Sequence, residues 1–290
     1  MNNYVNILCG GIVLGATALF ATPAAADLPP VAVAKEGFPL NFYIGTNWSG
    51  FYYNEPDIKV SHTGSYFPGL VARIDFDEPK SERLFASAEY KYLHGTYDYD
   101  GYVQTLGGAK HPYSNAALPQ AKQTASALAG FYFGGPDNAV RFKLMAGAAY
   151  ETTADNAYEV DRYFYKRSRN TLFGVIGVSA RKMWEPYRSL EIGILAKPVI
   201  SSSQTSRFAD LGGIWATAPL VRQSEYGWGA EVFATYKYES LWFRPYVSYV
   251  ALGATDWTHF TIGPNSEMAA RAKEPANQTI EFGIDLGVWF

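Results

Sequence analysis

The chain has 290 residues, among them 22 Tyr, 18 Phe and 7 Trp, with 24 Lys plus Arg against 27 Asp plus Glu and a single Cys. A net charge of -3 offers a polyanion such as nucleic acid nothing to bind, and one Cys forbids an intramolecular disulfide framework or a cysteine-based zinc site. No apolar run reaches the ~18 residues of a membrane-spanning helix, while 48% hydrophobic against 18% charged residues is too apolar for disorder.

Ile7 to Ala21 is an apolar run too short to cross a bilayer, followed by Thr22, Pro23 and the small residues Ala24-Ala25-Ala26 ahead of Asp27. This pattern predicts a cleavable secretory signal over residues 1–26, with the departure that Met1 to Asn6 carries no Lys or Arg. Cys9 precedes most of the apolar run, where a lipidated cysteine would have to follow it. Residues 27–38 are read as a periplasmic N-terminal segment and residues 39–290 as the folded domain.

From there the hydrophobic period is two, the signature of strands with unlike faces. Ten strands are expected, near Pro39 to Tyr53, Gly69 to Asp77, Leu84 to Asp98, Thr124 to Phe133, Val140 to Thr152, Asn170 to Met183, Leu190 to Ser201, Glu225 to Tyr238, Leu241 to Trp257 and Gln278 to Phe290. In the eighth, Tyr226, Trp228, Ala230, Val232, Ala234, Tyr236 and Tyr238 share one face, and Gly, Glu, Thr and Lys dominate the other. Rings at both ends of an apolar band match two headgroup belts around a hydrocarbon middle.

The connections alternate. Asp77 to Glu82, Gly134 to Asn138, Trp184 to Arg188 and Glu239-Ser240 are tight turns rich in turn residues. Asn54 to Pro68, Tyr99 to Gln123, Thr153 to Arg169, Ser202 to Ser224 and Thr258 to Asn277 are long and polar. The expected fold is all-β: a transmembrane antiparallel up-and-down barrel of about ten strands, with short periplasmic turns and long external loops. Sixteen porin-type strands would leave too little chain for these loops.

Projected inward, the alternation puts Arg73, Asp75, Glu89, Lys91, Arg141, Lys143, Glu191, Lys197, Glu231, Lys237, Arg244, Glu281 and Asp285 on the lumen face, seven cations and six anions. A ten-stranded ring is only slightly wider than eight-stranded barrels that side chains fill. Long side chains of both signs are therefore expected to pair across a mostly plugged lumen, because unpaired buried charge costs several kcal/mol. The alternative is a narrow porin-like channel in which some of these groups face water; a constriction of one sign would have marked ion selectivity.

Several stretches together resemble a family of Gram-negative outer-membrane β-barrel proteins, itself uncharacterised and omptin-like in its ten-stranded architecture. They are Tyr53-Asn54-Glu55-Pro56; Gly95-Thr96-Tyr97-Asp98-Tyr99-Asp100-Gly101; Tyr165-Lys166-Arg167 ahead of Gly174-Val175-Ile176-Gly177; and Lys273-Glu274-Pro275-Ala276-Asn277-Gln278-Thr279-Ile280-Glu281-Phe282-Gly283. The resemblance implies an outer-membrane, cell-surface location and no settled activity. A last strand ending on Phe290 likewise resembles the C-terminal signal read by the barrel assembly machinery.

An omptin-like protease would need two opposed dyads, an Asp-x-Asp and an Asp-x-His, to activate water. Asp98 and Asp100 have the first spacing and are expected to point inward at the outer rim, where repulsion would raise one carboxyl. The second dyad is not found: Ser202 to Ser224 holds Asp210 but no His, and Asp256 with His259 has the wrong spacing and lies in another loop. The plainer reading has Asp98 and Asp100 pairing with cations or opening a turn. His62, His94, His111 and His259 show no metal-ligand spacing, so no metal and no cofactor are expected, although His94 with Asp98 and Asp100 could converge on a cation. Arg162, Lys166, Arg167 and Arg169 form the densest basic patch. Placed at the outer rim, they are candidates for contact with lipopolysaccharide phosphates.

Overall fold

The computed structural model describes residues 40–77, 84–104, 109–134, 140–185 and 188–290. The expected leader over 1–26, the segment 27–38 and most of three periplasmic turns (78–83, 135–139 and 186–187) lie outside the described residues. The strands are β1 Leu40–Glu55, β2 Val60–Asp77, β3 Leu84–Gln104, β4 Lys110–Phe133, β5 Val140–Asp155, β6 Arg167–Glu185, β7 Arg188–Ser206, β8 Val221–Glu225, β9 Gly227–Tyr238, β10 Leu241–Leu252, β11 Thr258–Ile262, β12 Met268–Ala272 and β13 Asn277–Trp289.

Ten of these strands form a closed antiparallel ring: β1 to β7 in chain order, then β9, β10 and β13, which returns to β1. Short β8 continues the line of β9 along the outer end of β7, and β11 and β12 form a separate external hairpin. Closure satisfies every edge, which hydrocarbon requires of a β-structure. At the seam, Phe42 and Phe290 exchange backbone hydrogen bonds of 2.9 and 3.0 Å, and their rings stack.

The outward face carries exposed Ile44, Leu70, Ile74, Ile176, Val178, Ile192, Ile194, Val232 and Val247. Below this band lie Phe131, Phe133, Trp184 and Tyr238, and above it Tyr52, Tyr66, Tyr150 and Tyr226. Those are the two aromatic girdles of a transmembrane barrel.

The strands run further outward than the hydrophobic alternation does. The connection expected over Asn54 to Pro68 shrinks to the turn at residues 56–59, and much of Tyr99 to Gln123 is hairpin β3–β4. Above the outer girdle the outward side chains are Ser61, Thr63, Asp98, Ser203, Thr205, Arg222 and Ser224. They face water there, so hydrogen bonding continues while the apolar period fades. Two internal lapses fall at prolines: the β9–β10 ladder skips Arg244 and Pro245, and the β6–β7 ladder skips Gly174 and Val175, opposite Lys197 and Pro198. Pro198 has no N–H to contribute to it.

Candidate functional site

All thirteen charged residues assigned to the lumen sit on inward-facing strand positions. Asp285 is fully buried and takes Asn47 Nδ2 at 2.5 Å and Lys91 Nζ at 3.0 Å. Arg73 pairs with Asp75 at 2.5 Å, Lys143 with Glu191 at 3.0 Å, and Lys197 with Glu231. Several of these links join strands that are not neighbours in the ring, Lys91 on β3 with Asp285 on β13 and Lys143 on β5 with Glu191 on β7 among them, and two more reach furthest across it. Arg244 on β10 reaches Glu89 on β3 at 2.9 Å while also holding Glu231 at 2.9 Å. Lys122 on β4 reaches Glu281 on β13 at 2.5 Å while holding Glu151 at 2.9 Å, and Tyr246 donates to Glu281 at 2.7 Å.

Two cavities of about 110 and 100 Å³ lie along the lumen and share Lys122, Glu151, Ser248 and Glu281 in their walls. Each has room for a few waters. The Lys122 bridge is thus the partition between them. The larger, periplasmic cavity has an apolar side made by Met145, Val175, Leu195 and Phe233, facing the ionic side of Arg73, Glu89, Lys91 and Arg244.

At the outer mouth, above the hydrocarbon band, Arg167 binds Asp155 at 2.6 Å. Arg169 donates to Gln204 and Glu274 at 3.0 Å each and lies 3.4 Å from Glu225, an ionic contact without hydrogen-bond geometry. Burial pushes Glu225 up to about 7; Arg169 opposes the rise, and Glu274 and Glu55 add to it. Burial likewise raises Glu55, helped by Glu274, and Tyr53 donates a hydrogen bond to Glu55. His62 stacks between Tyr53 and Tyr97, with centroids 4.7 and 4.6 Å away. Burial first, then Arg167 and Arg169, hold His62 well below the ordinary imidazole value.

Two expectations are corrected here. Asp98 and Asp100 are exposed on the outward face, because Glu89, Lys91, Leu93, Tyr97 and Tyr99 take the inward positions of β3. Asp98 accepts from the Ala117 amide at 3.1 Å and Asp100 from Ser114 Oγ at 2.7 Å, so neither faces a partner dyad across the lumen. The basic patch is also split: Arg162 and Lys166 are exposed, whereas Arg167 and Arg169 turn into the mouth and are spent on carboxylates. His94, His111 and His259 are exposed and apart from one another, and no cluster fit for a metal ion occurs among the described residues.

The sequence reading passed over Lys122, Glu151, Asp77, Arg181 and Asn47. Strand parity reveals Glu151 and Asp77, each an even number of residues from an assigned lumen charge on its own strand, whereas β1 and β6 carry no assigned lumen charge from which to count to Asn47 and Arg181. Lys122 falls within the connection expected over Tyr99 to Gln123, where parity has no strand to act on.

No protein-family model matches the chain, and no curated protein matches it. Among solved structures it is similar to the translocator domain of autotransporter NalP from Neisseria meningitidis, with 10% identity, 97% of this chain and 95% of that chain covered, and a TM-score of 0.38. It is similar to the Pseudomonas putida toluene transporter TodX at 9% identity, covering 94% and 93%, with a TM-score of 0.32. A Pseudomonas aeruginosa FadL homologue matches at 6% identity over 87% and 89%, with a TM-score of 0.25. These neighbours are outer-membrane barrels, and by its own strand pairing this chain is a closed ten-stranded transmembrane β-barrel.

Proposed function

We propose that the protein is an integral outer-membrane barrel whose charge-paired lumen is shut to free solute flow and whose external extensions do structural or surface-binding work. The observation that carries this reading is the pair of links across the lumen, Arg244 to Glu89 and Lys122 to Glu281. Each spans the ring, and opening either would strand charges away from water, a cost of several kcal/mol. Planar-bilayer recordings should show no stable porin-sized level for the wild type, while Lys122→Ala combined with Arg244→Ala should produce one. A stable open level in the wild type would replace this reading with the narrow-channel one, which the two cavities stacked on either side of the Lys122 partition support.

Lipopolysaccharide is the partner proposed for the outer rim. The cations available to its phosphates are exposed Arg162 and Lys166, together with Arg222 and with Arg271 and Lys273, whose charges lie 4.3 and 5.6 Å from the Trp257 ring centre. Arg222→Glu with Arg271→Glu should lower the lipopolysaccharide that co-purifies, and Arg167→Glu should instead weaken the mouth. The assembly machinery is proposed to read the β13 strand and Phe290.

A further inference from the structure

The periplasmic end of the lumen sets four cations, Arg73, Lys143, Arg181 and Lys237, against three carboxylates, Asp75, Asp77 and Glu191. Arg181 on β6 and Lys237 on β9 both line the periplasmic cavity of about 110 Å³. Among the described residues, Arg181 makes no hydrogen bond or ion pair, and Lys237 has no carboxylate within salt-bridge distance. The ammonium of Lys237 instead donates to the Tyr43 hydroxyl and lies 4.5 Å from the centre of that ring and 5.3 Å from that of Trp289. The neighbouring cations are already satisfied, Arg73 by Asp75 and Lys143 by Glu191. Asp77, the remaining carboxylate of this end, accepts the Tyr132 hydroxyl at 2.9 Å. Arg181 stands opposite Glu191 in the β6–β7 ladder, and Glu191 stands opposite Thr235, two residues before Lys237 on β9. Both stand near the periplasmic rim, since β6 ends at Glu185 and β9 at Tyr238.

We propose that this pocket is a binding site for a small oxyanion entering from the periplasm, held between the Arg181 guanidinium and the Lys237 ammonium. A guanidinium presents a planar fork that fits two oxygens of one anion, and an ammonium supplies a point charge. Ser87 and Thr235 line the same cavity and add hydroxyls. The cavity of about 110 Å³ has room for an ion the size of phosphate or acetate. Four cations against three carboxylates in a low-dielectric wall leave one positive charge without a counter-charge, and a bound anion removes that cost. The site lies on the periplasmic side of the Lys122 partition, so it does not depend on whether the lumen conducts.

The test is titration of the folded full chain, in nanodiscs at low ionic strength, with inorganic phosphate followed by calorimetry. Saturable binding is expected, weakened roughly tenfold or more in Arg181→Gln and in Lys237→Gln, the scale of one lost charge-assisted contact. Arg181→Lys should keep most of the affinity, and Lys59→Gln, in the exposed turn at residues 56–59, should keep all of it. Competition by acetate would define the site as one for small oxyanions in general, and its absence would narrow it to phosphate. Heat-modifiable migration on gels identifies the variants that fold. Absence of saturable binding, or wild-type affinity in both folded glutamine variants, would overturn the proposal.

Discussion

Asp285 is wholly shielded, and its oxygens are occupied by Asn47 and Lys91. Asp285→Ala would leave Lys91 buried without a counter-charge, so unfolding in urea should show a loss of about 3–5 kcal/mol. Replacing both, as Asp285→Leu with Lys91→Met, should recover most of it, because no orphaned charge remains. Glu225 sets a different expectation. Its folded value of about 7 lies above the ordinary 4.5, so the folded mouth binds the extra proton between those limits. Stability from this group is complete below about pH 4.5 and is lost as the pH rises through 7. Proteolysis of the arm around Trp257 to Glu274 should therefore quicken on going from pH 5 to pH 8, and Glu225→Gln should flatten that dependence. The lumen charges were legible because parity is unforgiving: one residue's shift sends a side chain to the other face. The same rule, carried along β3 from Lys91, puts Asp98 outside. Spacing alone suggested a dyad that direction removes.

Among the strands, those that cross hydrocarbon were readable and their extensions were not. In β7 the outward positions Ile192, Ile194 and Ile200 are apolar, and Ser203 and Thr205 beyond them are not. Only the bilayer enforces a hydrophobic outer face, so the pattern stops where lipid stops. Pro198 belongs to the readable part yet interrupts its ladder. Pro198→Val should restore a hydrogen bond to β6 and raise stability by about 1 kcal/mol, visible as a higher gel-shift temperature. In β13, a Cβ on Gly283 would lie 2.6 Å from the Tyr246 ring and its hydroxyl. Gly283→Val should push Tyr246 off Glu281, lowering the gel-shift temperature and slackening the Lys122 partition.

For the whole molecule, the ring makes its longest-range contacts at the seam. Residues 47 and 285, 238 positions apart, share a hydrogen bond, and Phe42 is paired with the final residue. Removing Phe290 should cut the yield of inserted, heat-modifiable barrel several-fold in a folding assay while leaving the other hairpins intact, because it unties only this joint. Ten-strand closure followed from the even count of segments and the alternating connections. The external hairpin β11–β12 did not, because strands of five residues carry too short a run for the alternation to stand out, although Ile262 is buried and Phe260 packs on Phe208 and Trp215.

That seam has a kinetic consequence. β1 precedes β13 in the sequence and finds its second neighbour only when that strand joins the ring, so until then it carries a bare row of amides and carbonyls. Such a strand adheres to any other unpaired strand it meets. A chain lacking β13 is therefore expected to aggregate rather than close into a smaller barrel.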